Sequence, residues 1–137
     1  MDYYDWVADQ LGKAPTVIDW SKIPAEAVSD PNLTTHAGTV RQTWVGDQVV
    51  LTRVVVKPNS RGKPHFHPAE QVSMILRGGV CVTLGNIEQI ARAGSIVHIP
   101  GNAVHMFEIL GEETEILDVY TVTKSVDELR KRYPASA

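Results

Sequence analysis

The chain has 137 residues, of which 43% are hydrophobic and 21% charged, and its formal net charge is −3. This length fits one domain with a single core, and the charge balance gives no electrostatic case for binding nucleic acid or anionic lipid. The sequence has no apolar run of the ~18–20 residues that span a bilayer, no signal-peptide pattern and one cysteine, Cys81. We therefore expect a cytoplasmic protein without an intramolecular disulfide and with neither a nucleic acid nor a membrane as partner.

Residues 1–38 differ in pattern from the rest of the chain. The apolar spacing predicts a short helix that ends at Gly12, and breaks follow at residues 19–24 and 30–32. This segment is too short for a core of its own. We expect an N-terminal arm that wraps the main domain or pairs with a second subunit, which would also cover its aromatic residues.

Residues 39–123 have the pattern of a β-protein. Runs rich in β-branched residues alternate with turns of Gly, Asn and Pro, and the Gly46-Asp47 pair is typical of a hairpin. The predicted strands are 40–45, 48–57, 71–77, 80–84, 87–92, 95–99, 104–110 and 115–123. Their length and spacing are typical of an all-β sandwich or barrel.

Residues 124–137 are predicted to form a C-terminal helix and tail. Ser125 and Glu128 have the spacing of a capping box, which marks a helix start. We expect the helix to end near Tyr133, because Pro134 follows.

Three histidines and one glutamine are spaced so that their side chains can converge. His65 and His67 lie two residues apart, which on a strand places both imidazoles on one face. Gln71 begins the next predicted strand, and His105 shares a face with Phe107 on a later one. Divalent metals prefer nitrogen and oxygen ligands that converge from different backbone positions. The spacing therefore predicts a metal site formed by His65, His67, Gln71 and His105 inside a small barrel.

The first of these segments is similar to the first motif of the cupin superfamily, G-x5-H-x-H-x3or4-E-x6-G. His65, His67 and Gly78 stand at the motif positions. Gln71 takes the place of the motif Glu, and Asn59 stands where the motif begins with Gly.

The second segment resembles the second cupin motif, G-x5-P-x-G-x2-H-x3-N. Gly94, Pro100 and His105 match it. Asn102 replaces the second Gly, and Ile109 replaces the Asn.

The resemblance implies a single-domain, RmlC-like cupin: a double-stranded β-helix, or jelly-roll barrel, with a divalent metal and a homodimeric assembly. The metal is one of Mn, Fe, Ni, Co, Cu or Zn, since imidazole-rich sites accept all of them. The neutral Gln71 would leave more net charge on the metal than a carboxylate, which favours Lewis-acid chemistry.

Further residues are predicted to line a substrate pocket. The last strand resembles that of cupins that act in unsaturated uronate catabolism, which assigns Asp118 as catalytic acid/base, Tyr120 as a pocket aromatic and Lys124 as a substrate-facing cation. Phe107 is expected to line the pocket or pack in the core. Arg53 interrupts an apolar strand, so it either points inward to an anionic substrate or extends to an edge.

Two other polar residues lie near the predicted site. Glu70 should point away from Gln71, but a register shift of one residue would exchange their roles. His98 either faces the pocket or is a structural histidine.

These observations favour a metal-dependent enzyme with isomerase or lyase chemistry on a small sugar acid or hydroxy-ketone. One alternative is a non-haem iron dioxygenase, which would require O₂. Another is a cupin that binds a small ligand without turnover, because one barrel supports many functions.

Overall fold

The structure is a computed structural model that describes residues 15–28 and 39–133. The predicted helix ending at Gly12 lies outside these residues. The described elements are a 3-10 turn Trp20–Lys22, strands β1 Glu26–Ala27, β2 Val40–Val45, β3 Val49–Val56, β4 Gln71–Arg77, β5 Gly79–Leu84, β6 Ile87–Arg92, β7 Ile96–Ile99, β8 His105–Ile109 and β9 Thr114–Thr121, and helix α1 Val126–Arg132. The prediction of an all-β fold with one short C-terminal helix is confirmed.

The strands form two antiparallel sheets. The larger sheet has the order β1-β2-β3-β9-β4-β7, and the smaller has the order β6-β5-β8. Apolar side chains from both sheets meet in one core, with Ile75 and Ile116 from the large sheet and Val80 and Ile109 from the small one. The chain therefore folds as the predicted jelly roll.

The inner face of the large sheet carries an unusual row of polar residues. Strand pairing places Thr43 opposite Thr52, Thr52 opposite Asp118, and Asp118 opposite Ser73. All four side chains are buried. Because buried polar groups are costly unless they find partners, this row marks the part of the barrel where chemistry is expected.

The turn between β4 and β5 needs glycine. Gly78 has φ +83°, and a Cβ atom there would collide with Thr114 Oγ1. Thr114 is fully buried, and its hydroxyl accepts a hydrogen bond from the backbone N–H of Gly79 at 3.1 Å. Any other side chain at this position would disturb both the left-handed backbone and the packing.

Helix α1 begins as the capping spacing predicts. The Ser125 hydroxyl accepts a hydrogen bond from the backbone N–H of Glu128. Arg130 pairs with Asp47 of the β2–β3 turn at 2.8 Å, and Arg132 pairs with Glu26 of β1 at 3.3 Å, so the helix lies near both of these segments. No helix within the described residues is long and apolar enough to cross a membrane.

Candidate metal centre

The backbone positions of the three histidines are held by hydrogen bonds between segments far apart in sequence. His65 and His105 form an isolated antiparallel bridge, with N–H···O distances of 3.0 and 2.9 Å in the two directions. The carbonyl of His67 accepts a hydrogen bond from the N–H of Asn102 at 2.8 Å. The loop before β4 is thereby attached to the start of β8, and their imidazoles meet.

The three imidazoles surround one point. Their ligating nitrogens all lie within 4.8 Å of one another. The ring centroid of His105 is 4.3 Å from that of His65 and 4.9 Å from that of His67. His105 is buried, whereas His65 and His67 are half-buried and border the cavity described below.

Hydrogen bonds determine which nitrogen of each ring carries the proton. Each Nδ1 atom lies 2.9 Å from a backbone carbonyl oxygen, those of Lys63, Ala69 and Ala103 for His65, His67 and His105 respectively. A carbonyl oxygen can only accept, so each Nδ1 must donate. Each neutral ring therefore presents the lone pair of Nε2, which is the state that ligates a metal.

Gln71 directs an amide oxygen towards the point that the three imidazoles surround. Its Oε1 lies 3.0 Å from His67 Nε2, and its Nε2 donates to Ser73 Oγ at 2.9 Å. When His67 carries its proton on Nδ1, this contact brings two atoms with lone pairs together, an arrangement that a shared metal ion stabilises. Three imidazole nitrogens and one amide oxygen form a donor set that fits a divalent transition metal.

The electrostatics of His105 favour this ligand state. Burial lowers the pKa of His105, and the neighbouring His65 and His67 lower it further, while the hydrogen bond to Ala103 opposes the shift. The ring is therefore neutral near pH 7, as metal binding requires.

Asp118 lies beside the proposed ligands and has an unusual environment. It is 8% exposed, accepts a hydrogen bond from Ser73 Oγ at 2.5 Å and another from the Tyr120 hydroxyl at 3.3 Å. Burial raises the pKa of Asp118 to about 6, although the hydrogen bonds from Ser73, Tyr120 and Gln71 oppose the shift. A carboxyl group with such a pKa can both accept and donate a proton near neutral pH.

All these groups open into one cavity of about 610 Å³. Of the residues predicted from sequence, its wall includes His65, His67, Gln71, His105, Phe107, Asp118, Tyr120 and Lys124. The structure thus brings together every predicted site residue except Arg53.

Arg53 differs from the prediction. Its neighbours Thr52 and Val54 line the cavity, so the residue between them points to the opposite face of the sheet. There its guanidinium donates to Gln42 Oε1 at 2.8 Å and to Glu115 Oε2 at 2.7 Å. The arginine that does line the cavity is Arg41, on the next strand.

Glu70 and His98 also lie on this outer face. Glu70 Oε2 is 2.7 Å from His98 Nε2, both side chains are more than half exposed, and neither lines the cavity. The register that would place Glu70 in the site is therefore not the one adopted.

The sequence profile of the family described as "Cupin domain" matches residues 52–120, half of the chain. The chain belongs to the cupin family. No curated protein matches this cupin significantly in sequence.

Solved structures with the same fold come from several bacteria. A predicted oxalate decarboxylase from Thermotoga maritima is 18% identical, with a TM-score of 0.69 over 78% of this chain and 99% of that one. KdgF from Halomonas is 14% identical, with a TM-score of 0.67 over 82% and 97%. The polyketide cyclase RemF from Streptomyces resistomycificus is 22% identical, with a TM-score of 0.66 over 88% and 95%. At these identities the similarity shows the fold.

The structure explains two departures of this cupin from the family motifs. Asn59 and Asn102 stand where the motifs have glycine, and both have φ +63°. Among residues with a side chain, asparagine adopts this left-handed region most readily. The backbone conformation required at these positions is therefore preserved without glycine.

The contribution of the C-terminal helix segment to the cavity wall was not predicted from sequence. Leu129 and Tyr133 belong to the C-terminal helix segment, yet both line the same cavity as the histidines. Their spacing of four residues is a signal for one helix face, but it does not indicate what that face contacts.

Proposed function

We propose that this cupin is a metal-dependent enzyme that catalyses an isomerase or lyase reaction on a small oxygenated substrate. The observation that carries the proposal is the meeting, in one cavity, of three imidazoles, the amide oxygen of Gln71 and a buried carboxyl group with a pKa of about 6. A buried carboxyl group with a raised pKa beside a candidate metal centre is typical of a catalytic site.

His65, His67, His105 and Gln71 would hold the metal, which is one of Mn, Fe, Ni, Co, Cu or Zn. When bound, it supplies a Lewis acid that polarises a carbonyl or hydroxyl oxygen. The neutral amide of Gln71 suits this role better than a glutamate would, because Gln71 Nε2 lies 3.4 Å from Asp118 Oδ1 and donates to it. A carboxylate in the same place would repel Asp118.

Asp118 would act as the acid/base that transfers a proton of the substrate. One of its oxygens accepts from Ser73 and the other from Tyr120, which fixes the plane of the carboxyl group. In this proposal Asp118 takes a proton from a carbon or hydroxyl next to the polarised carbonyl and returns it elsewhere on the substrate. Lys124 binds an anionic group of the substrate, and Phe107 forms part of the wall.

The test combines metal analysis with an oxygen-free assay. Protein purified without a histidine tag is analysed for metals, and a panel of hydroxy-ketones and unsaturated sugar acids is followed by NMR under nitrogen. We expect near-stoichiometric metal and conversion of a panel member without O₂, lost in His67→Ala and Asp118→Asn. Turnover only in air would instead support a dioxygenase, and saturable binding without turnover a non-catalytic cupin. Less than about 0.1 metal per chain would refute the proposal.

We also propose that the protein is a homodimer that associates through the outer face of the large sheet. Trp44, Leu51, Val119 and Val72 are aligned across four strands on this face, and all are half-buried. Such a continuous apolar surface favours a second copy of the same sheet as its cover.

Sedimentation of two matched variants tests the dimer. Ile96 is 69% exposed on the outer face of the large sheet, and Ile90 is 58% exposed on the small sheet. We expect Ile96→Lys to weaken the dimer at least tenfold and Ile90→Lys to leave it unchanged. A wild-type monomer, or equal effects of both variants, would contradict this interface.

A further inference from the structure

Polar groups occupy one band of the cavity wall, and apolar side chains lie on both sides of it. Thr52 and Asp118 are paired in the band. Two residues further along β3, Val54 is paired with Ile116, and both line the cavity. Two residues before Thr52 on the same strand, Val50 also lines the cavity. A substrate that fills this space meets hydrogen-bonding partners at the band and apolar side chains next to it, with Arg41 opposite Val54 as a charged group on the same wall.

The apolar face of helix α1 lies over the same space. Val126, Leu129 and Tyr133 are half-buried at a spacing of three and four residues, whereas the intervening positions are exposed. No residue of the helix is buried. Leu129 and Tyr133 line the cavity, so among the described residues the apolar face of the helix borders the cavity instead of packing into the core.

Charged contacts link the helix to the rest of the domain. The two described ion pairs, Arg130–Asp47 and Arg132–Glu26, are largely solvent-exposed and contribute little to stability. A ligand with an apolar body would therefore bury surface on Leu129 and Tyr133 that the described part of the protein leaves uncovered.

The cavity size supports the same conclusion. At about 610 Å³ it falls within the ~300–1,000 Å³ of pockets that enclose drug-sized ligands. A polyhydroxylated sugar acid placed here would press hydroxyl groups against Val54, Ile116 and Leu129, where they lose their bonds to water without replacement.

We propose that the substrate joins an apolar body, alkyl or aromatic, to a keto or carboxylate group, and that Leu129 and Tyr133 select for that body. This inference rests on the proposed function, which places the oxygens of the substrate at the polar band. It chooses the keto-acid and hydroxy-ketone class over sugar acids. Leu129 and Tyr133 are thus specificity-determining residues contributed by the C-terminal helix.

Binding of a homologous ligand series tests the proposal. The probes are straight-chain α-keto acids with four, six and eight carbon atoms, with galacturonate as the polyhydroxylated comparison, titrated by calorimetry into metal-loaded and EDTA-treated protein. We expect the affinity to rise about threefold to fourfold for each methylene group added. Galacturonate should bind more weakly than the eight-carbon acid by at least tenfold.

Variants locate the effect on the helix. Leu129→Ala should weaken binding of the eight-carbon acid about fivefold to tenfold and that of the four-carbon acid less than twofold. Tyr133→Leu, which keeps an apolar side chain, should retain the chain-length dependence. The matched control is Leu76→Ala, because Leu76 is 48% exposed on β4 and does not line the cavity.

Two outcomes overturn the inference: an affinity that does not rise with chain length, or a Leu129→Ala variant that weakens the four- and eight-carbon acids equally. Failure of the proposed function gives a different result. In that case the chain-length dependence persists, but EDTA treatment changes no affinity and no probe is turned over.

Discussion

At the scale of single residues, the decisive contacts are the hydrogen bonds behind the imidazoles. A histidine side chain offers either nitrogen to a metal, and the partner of the other nitrogen selects which. In His65, His67 and His105 a backbone carbonyl makes that selection, so it does not depend on the conformation of another side chain. Such a site is organised before a metal arrives.

Removing one imidazole should therefore remove the metal and leave the fold intact. We expect His67→Ala to lower bound metal at least tenfold, measured by elemental analysis, with the circular dichroism spectrum unchanged. The control is His98→Ala, since His98 is exposed on the outer face of the sheet and pairs with Glu70. Equal metal content in the two variants, or unfolding of His67→Ala alone, would show that His67 is a structural residue.

The carboxyl group of Asp118 should make the metal-free protein less stable as the pH rises. Its pKa is about 6 in the folded state, against 3.8 for an ordinary, solvent-exposed Asp. Between these values the folded state binds more protons than the unfolded state, so the free energy of unfolding falls from about pH 4 to about pH 6 and then levels off for this group.

Asp118→Asn should abolish this fall in the free energy of unfolding with rising pH. In EDTA-treated protein at pH 7 we expect the variant to be more stable than the wild type by on the order of 1–3 kcal/mol, and the difference to vanish near pH 4. Urea unfolding at several pH values measures it. A variant that is destabilised at pH 7, or a difference that grows as the pH falls, would contradict the raised pKa.

At the scale of elements, the turn before β8 positions the loop that carries His67. The N–H of Asn102 donates to the His67 carbonyl, and a Cβ atom on Gly101 would lie 2.6 Å from the Pro68 oxygen. Two segments about 35 residues apart thus touch through their backbones. Metal affinity should depend on this turn even though none of its side chains is a proposed ligand.

Substitutions at Asn102 test that dependence. We expect Asn102→Gly to be tolerated, and Asn102→Ala to cost about 1 kcal/mol of stability because alanine adopts positive φ poorly. Asn102→Ala should also weaken metal binding severalfold, measured by competition with a chelator. The control is Asn86→Ala in the β5–β6 turn, whose φ is not positive. Equal stability of the alanine and glycine variants at position 102 would contradict the argument.

At the scale of the whole molecule, the proposed ligands connect the two sheets. Gln71 lies on β4 of the large sheet, His105 on β8 of the small sheet, and His65 and His67 on the loop between β3 and β4. A metal bound by all four would link these parts in the folded state only. Metal binding should therefore stabilise the entire domain.

The melting temperature should accordingly rise with free metal concentration. At a free concentration of 100 times the dissociation constant, the expected stabilisation is about 2.7 kcal/mol, and EDTA should reverse it. Thermal scans of wild type and His67→Ala over a series of Mn, Fe, Ni, Co, Cu and Zn concentrations measure the effect and rank the metals. A shift of equal size in His67→Ala would mean that the metal binds elsewhere.

Much of the architecture was predictable from local sequence. The strands follow from β-branched runs and turn residues, and the spacing of His65 and His67 places both imidazoles on one face. Arg53 shows where such reasoning stops. It lies in a strand whose other side chains are nearly all apolar, so no alternation of polar and apolar residues marks the inner face, and only pairing with β2 and β9 decides it.

The sequence by itself determined the family, the jelly-roll class, and the residue types of the site with their spacing, because these depend on period-two geometry and short motifs. Only the tertiary structure decided which groups share the cavity. Arg41 lines the cavity in place of Arg53, Ser73 donates a hydrogen bond to Asp118, and Leu129 reaches the wall from the helix that follows β9. These outcomes depend on strand register and on packing between distant segments, which no local pattern of residues specifies.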